Sequence, residues 1–196
     1  MRGRFITIHG IDGTGKTTTA ELLVDGLDEL DAIVVARWNI VKNLLEPVPN
    51  SRSSLSAGIS KKVSESKIVS DLMEQGKTLA RDRWVIDVMA DHAFAGKPMR
   101  DGEVSLGANP ELLLPNLSVI LVCRENERMR RINSRGNPSK EDLIPNMPGS
   151  RAYFFQEYLL NNIAEYSRNS MVIDTTDITP EDTTGMIMRK LLNDGI

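Results

Sequence analysis

Residues 5–19 read Phe5-Ile6-Thr7-Ile8-His9-Gly10-Ile11-Asp12-Gly13-Thr14-Gly15-Lys16-Thr17-Thr18-Thr19, a short apolar run that breaks into glycines and leaves as a helix. Gly10, Gly15, Lys16 and Thr17 satisfy G-x-x-x-x-G-K-[ST], a spacing whose glycines free successive backbone N–H groups to converge on phosphates. On this reading Gly10, Asp12, Gly13, Thr14, Gly15, Lys16, Thr17 and Thr18 form a nucleotide cradle. Lys16 reaches the β and γ phosphates, and the Thr17 hydroxyl holds Mg²⁺. The helix that starts here turns its partial positive end toward the same anions. A Gly-rich turn that merely joins a strand to a helix is the plainer alternative, and the flanking strand and helix weigh against it.

The remainder of the chain suits such a site. It has 196 residues, 40% of them hydrophobic and 26% charged, enough for one sizeable core and one expected domain over 1–196. The formal net charge of −3 gives nothing global to attract nucleic acid or an anionic membrane, so neither is expected as a partner. The single cysteine, Cys123, ends an apolar run and forms no internal disulfide, which fits a reducing cytoplasm. Met1-Arg2-Gly3-Arg4 leads straight into the first strand, and a cytoplasmic protein without a leader or membrane span is expected.

Strands and helices alternate along the chain. Apolar spacing predicts a helix over 17–30, a strand over 32–36 that delivers Arg37 and Trp38 at its end, and a loop over 38–56 beside the acceptor. A helix follows over 57–75, then a strand over 78–84 that presents Asp82 and Arg83 at its tip, and a helix over 85–95. Further strands are predicted over 118–123 and 171–174, with helices over 150–166 and from Pro180 onward, the last capped by Thr179. Five strands in this alternation predict an α/β fold of three layers, a five-stranded parallel sheet with helices on both faces, as in P-loop kinases. Trp38 reads equally as core or as ligand contact.

Between 124 and 137 the chain carries Arg124, Arg128, Arg130, Arg131 and Arg135, five arginines in fourteen residues of an otherwise acidic protein. One reading is a solvated helix face paired with Glu125 and Glu127; the other is a cationic flap over phosphates. With three prolines between 136 and 149, a mobile lid over about 128–149 is expected. Lids of this kind exclude water, which phosphoryl transfer to a second substrate requires. No Asn-Lys-x-Asp base-reading motif occurs, so a guanine-nucleotide switch is disfavoured.

Four segments resemble the thymidylate kinase family, over nearly the whole chain. They are the loop over 5–18 with Asp12 two residues after the first glycine, Gly76-Lys77-Thr78-Leu79-Ala80-Arg81-Asp82-Arg83-Trp84, Pro115 to Val122 with the arginine segment behind it, and Tyr158-Leu159 through Val172-Ile173-Asp174. The resemblance implies Mg-ATP-dependent phosphoryl transfer to a small-molecule acceptor, a nucleoside monophosphate first, by positioning and charge neutralisation. It implies Lys16 and Asp82 as catalytic, Thr17 and Asp82 at the metal, and Asp12, Arg37, Lys61 and Arg83 at the acceptor. A homodimer is the family's habit. Gly13 stands where some members carry a basic residue, which makes Arg131 and Arg135 the candidates for transition-state charge.

The acceptor half departs from the family. Arg37-Trp38-Asn39 replaces Arg-Glu-Pro, Lys61 replaces an arginine, Asp87 replaces a serine, and Asp91-His92 replaces Tyr-Gln. Asp87 and Asp91 facing the acceptor would suit a cationic or hydroxyl-rich body, so a specialised non-nucleotide metabolite is the alternative acceptor. A nucleotide-binding regulatory protein without turnover is the second alternative. Asp91 also reads as a turn cap.

Overall fold

The structure, a computed structural model, describes residues 2–28, 55–95, 111–140 and 142–193. Strand β1 (Phe5–His9) is buried at all five positions, as expected of a strand covered on both faces. It is followed by helix α1 (Lys16–Asp28), helix α2 (Leu55–Glu74), strand β2 (Leu79–Asp82), helix α3 (Val85–Phe94) and strand β3 (Leu117–Val122). Helix α4 (Glu125–Ser134), helix α5 (Arg151–Asn162), strand β4 (Ser170–Asp174) and helix α6 (Pro180–Asn193) complete the order.

Four parallel strands are described, in the order β2-β1-β3-β4. Five were expected. The strand predicted over 32–36, together with Arg37 and Trp38, lies outside the described residues, as does the acceptor-side loop up to residue 54; Leu55 already opens α2. The predicted helix over 150–166 is shorter, ending at Asn162 in a single 3₁₀ turn over Ile163–Glu165.

The two-residue period of the strands sorts the core into two layers. Ile6, Ile8, Leu117, Val119, Leu121 and Ile173 meet Leu23 and Leu27 of α1 and Ile187 and Leu191 of α6 on one face. Phe5 and Ile120 face the other way, toward Val69 and Met73 of α2, Trp84 to Ala90 around α3, and Phe155 and Leu159 of α5. β1 lies between β2, which follows it, and β3, which is reached only after β2, so the chain reverses direction across the sheet at β1. Open α/β sheets bind ligands at the carboxyl ends of strands at such a point.

One charged cluster lies inside the second layer. Glu65, fully buried, accepts from Lys62 at 3.1 Å and pairs with Arg81. Both cations lie over the Trp84 indole, Lys62 Nζ at 5.0 Å and the Arg81 guanidinium at 4.6 Å from its centroid, while Phe5 meets the same ring edge-on at 4.8 Å. Burial, helped by the charge of Arg81 and opposed by Glu65, pushes the Lys62 ammonium down from 10.5 to about 8. Between those two values the unfolded chain holds a proton that the folded one has released, so stability from this group rises with pH through that window. Set against Lys62→Met, which cannot titrate, the wild-type melting temperature should therefore gain a few degrees as pH climbs from about 8 to about 10. A flat difference across that range in paired thermal melts contradicts the buried-charge assignment.

Candidate active site

β1 ends on Gly10, whose φ is 142°; a Cβ there would lie 2.5 Å from the Leu121 carbonyl oxygen of β3. Only glycine lets the chain leave the sheet so close to its neighbour. The loop is closed by its own bonds: the Thr14 hydroxyl donates to the Ile11 carbonyl at 2.8 Å, and α1 begins at Lys16. Thr14, Gly13 and Lys16 are buried, whereas Thr17 and Thr18 are exposed at the helix start.

Lys16 Nζ donates to the Ile11 carbonyl at 3.1 Å and lies 3.4 Å from Asp12 Oδ1. Burial lowers its pKa, against the opposing charges of Asp82 and Asp12. The same Asp12 Oδ1 accepts from Arg83 Nη2 at 3.0 Å, so one carboxylate oxygen joins the loop lysine to the arginine after β2. Burial pushes the Asp12 carboxyl up, but Lys16 and Arg83 together outweigh it and hold it below the usual range. Arg83 stands over the Phe155 ring at 5.5 Å, and the charges of Asp87, Asp12, Asp82 and Asp91 outweigh burial to raise its pKa.

At the foot of α1 the Thr17 hydroxyl donates to Asp82 Oδ2 at 3.2 Å, while Asp82 Oδ1 is buried with no hydrogen-bond partner. A hydroxyl and a spare carboxylate oxygen beside a phosphate loop are the hard donors Mg²⁺ takes, alongside waters and substrate phosphate. The residues present fit that ion.

Beside the loop lies a cavity of about 230 Å³, lined by Ile11, Asp12, Arg83, Asp91, Arg128, Ile144, Arg151, Ala152 and Phe155. Asp12, Arg83 and Asp91 are thus brought together as expected. Arg151 Nη2 donates to Asp91 Oδ1 at 2.7 Å, a pair between α5 and α3 with both side chains nearly half exposed. The sequence reading missed Arg151 and Phe155. A signal existed: Ser150 caps α5 by accepting from the Tyr153 N–H, and Arg151 directly after it puts a cation where the helix dipole disfavours one.

Two expected acceptor contacts are corrected. Asp87 does not face the cavity: it is buried, and its Oδ2 meets His9 Nδ1 at 2.7 Å and accepts from the Trp84 N–H at 2.8 Å. Burial pushes its carboxyl up, yet His9, Arg83 and the Trp84 amide hold it below the usual range. Lys61 is exposed and does not line the cavity; its neighbour Lys62 is the one that turns inward, to Glu65.

The arginines of α4 divide three ways. Arg128, expected on the lid, is only 1% exposed and donates to both Glu125 oxygens and to the carbonyls of Asp12, Asp142 and Ile144. It staples the 142–144 stretch to the phosphate loop and spends its fork on protein acceptors. Arg131 donates to Glu127 and to the hydroxyl and carbonyl of Thr175, and the Thr175 hydroxyl donates in turn to the Thr14 carbonyl at 3.1 Å. That places Arg131 one residue away from the loop. Arg135 is exposed at the end of α4. Gly13 fits beneath this helix: an added Cβ would stand 2.7 Å from Arg128 Cγ.

Parallel sheet, phosphate loop, lysine and facing acid define a P-loop phosphotransferase, an enzyme of the kinase class. The chain belongs to the AAA domain family, whose description matches residues 6–152. A probable thymidylate kinase of Pyrococcus abyssi is 28% identical over 162 residues, 74% of this chain and 77% of the relative. One from Methanosarcina acetivorans is 24% identical over 206 residues, covering 98% and 97%. In fold, the crystal structure of thymidylate kinase from Ehrlichia chaffeensis matches with a TM-score of 0.58 at 20% identity, over 98% of this chain and 100% of that one. The structure of deoxyadenosine kinase from M. mycoides with bound dATP matches at 0.56 and 14%, over 95% and 98%. Similarity to proteins called thymidylate kinases, expected from the sequence, therefore runs along nearly the whole chain.

Removing the Arg128 staple leaves Glu125 and three backbone carbonyls without their donor, a loss of about 3–5 kcal/mol. Arg128→Ala should melt roughly 10 °C lower than wild type and should be cut faster by protease between 137 and 149. An unchanged melting temperature in calorimetry would remove the staple.

Proposed function

We propose that this kinase transfers the γ-phosphoryl group of ATP, with Mg²⁺, to a small acceptor that already carries a phosphate, a nucleoside monophosphate being the class the site suits best. The observation that carries this reading is Asp12 Oδ1, which takes Lys16 of the donor loop and Arg83 of the cavity within 3.4 Å and 3.0 Å. Donor and acceptor sides meet on one side chain.

The loop amides and Lys16 would bind the donor phosphates, which replace the Ile11 and Asp12 oxygens that Lys16 now contacts. Thr17 and Asp82 would hold Mg²⁺, which when bound neutralises phosphate charge. Arg83 and Arg151 would grip the acceptor's phosphate and body, and Phe155 supplies an apolar wall. Arg131, beside Thr14 through Thr175, and Arg135 are the candidates for stabilising charge on the group in flight. Catalysis on this reading is positioning plus electrostatics, with the reactants held in line and water kept out.

A second acceptor class is favoured by one feature. The Asp91–Arg151 pair offers one negative and one positive group at the cavity, which a non-nucleotide metabolite bearing charges of both signs could divide between them.

Coupled ADP release measured with thymidylate, other nucleoside monophosphates, nucleosides and amino- or hydroxy-metabolites tests both readings. A monophosphate should give the highest kcat/KM, and Lys16→Met should lower kcat on the order of 10²–10³-fold. Arg151→Ala should raise the acceptor KM about tenfold with less effect on ATP. ADP release that no acceptor stimulates would sink the proposal.

A further inference from the structure

Arg83 is the one non-glycine residue among those described with a left-handed backbone, φ 66°. For a long side chain this is a strained conformation, which persists only where its surroundings over-determine it. Two anchors bracket it. The Arg83 N–H donates to the Ile8 carbonyl at 2.9 Å, and the next N–H, that of Trp84, donates to Asp87 Oδ2 at 2.8 Å. The same carboxylate oxygen is 2.7 Å from Nδ1 of His9, the residue after Ile8. The last two residues of β1 before Gly10 thus hold the turn on both sides of Arg83.

The His9 end of the bracket is fixed as well. Its Nε2 lies 2.8 Å from the Thr7 hydroxyl, which lies 2.8 Å from the Ser118 hydroxyl of β3. His9, Asp87, Thr7 and Ser118 are all at most 4% exposed. Since Asp87 can only accept, Nδ1 is the donor toward it, and every link of the chain then has one donor and one acceptor. Asp87 Oδ1 alone is left without a hydrogen-bond partner; the paired links of such a buried network rigidify what they join. Here it joins the strand that carries the phosphate loop to the turn that carries the cavity arginine.

We propose that His9 and Asp87 are positioning residues that hold Arg83 in its left-handed conformation, so that its guanidinium meets Asp12 and the acceptor in register with the donor loop. This rests on reading Arg83 as an acceptor contact. The reach of the aspartate at 87 suits this role, since its one oxygen meets both His9 and the Trp84 amide.

A cycle of thermal melts isolates the strain. Arg83→Gly and Arg83→Ala both delete the guanidinium and differ only in tolerance of positive φ. In an otherwise wild-type chain Arg83→Gly should melt about 3 °C above Arg83→Ala. With Asp87→Ala added, the turn relaxes and the gap closes or reverses. With Asp87→Asn, whose carbonyl oxygen can take both bonds, the gap persists. A gap unaltered by Asp87→Ala overturns the proposal, and if that variant does not fold, Asp87→Ser takes its place.

Kinetics supply the second arm, using the acceptor that the ADP-release panel selects. Asp87→Ala should raise the acceptor KM about tenfold or more and the ATP KM by less than about threefold, with Asp87→Asn restoring most of the loss. Equal rises in both KM values, or an Asp87→Asn variant as impaired as Asp87→Ala, contradict it. Arg83→Ala with an unchanged acceptor KM would instead overturn the reading of Arg83 itself, a result on which the melting cycle does not depend.

Discussion

The absence of a side chain at Gly10 is the constraint on which the site depends. β1 is packed on both faces, and its chain leaves the sheet against the Leu121 carbonyl with no space for a Cβ. That close departure sets the loop above the strand's carboxyl end and aims α1 along the axis on which phosphates are bound. β2 runs parallel beside β1 with Ile8 opposite Asp82, so the register that pairs the strands also sets Asp82 beside Thr17. Backbone geometry thereby determines where three chemically different groups meet.

Charge is distributed around that point in closed sets. Asp12 serves Lys16 and Arg83, Asp91 serves Arg151, and Glu65 serves Lys62 and Arg81. Ions taken from water are expensive to leave unpaired, and these partners set an opposite charge beside each one before any ligand arrives. The sets differ in what they can release. Glu65 is fully buried, whereas Asp12 and the Asp91–Arg151 pair border the cavity, where their cations can exchange a carboxylate for an incoming anion. The Lys62 cluster is accordingly part of the core, whereas Arg83 and Arg151 line a cavity open to a ligand.

Much of this was legible in the sequence, for reasons tied to particular residues. The loop over 10–17 is read from its glycines and lysine because backbone binding of phosphate demands those types at those spacings. Asp82 and Arg83 follow because they stand at the end of a strand whose pattern is plain, and Asp12 follows from the resemblance of its loop. What was not legible is direction. Lys61 and Lys62 are adjacent and alike, and only the helix phase decides which is buried. The position of Asp87 after Asp82-Arg83-Trp84 suggests an acceptor contact through the resemblance, and only the buried His9 explains why it turns away. Arg128 is one of five arginines in sequence; its distinct role comes from carbonyls fourteen and sixteen residues further on, which no local pattern reveals.

Gly13 carries a consequence for how chains of this kind can diverge. The space its missing side chain leaves is filled by the methylenes of Arg128 and by Ile132. One volume is therefore shared between two distant positions, and it can hold either a side chain on the loop or an arginine stem on the helix. A residue larger than glycine at 13 therefore requires less volume at 128 or 132, so the loop and the helix constrain each other's side chains. Side-chain volume beside the loop is in that sense a property of the shared space rather than of either residue.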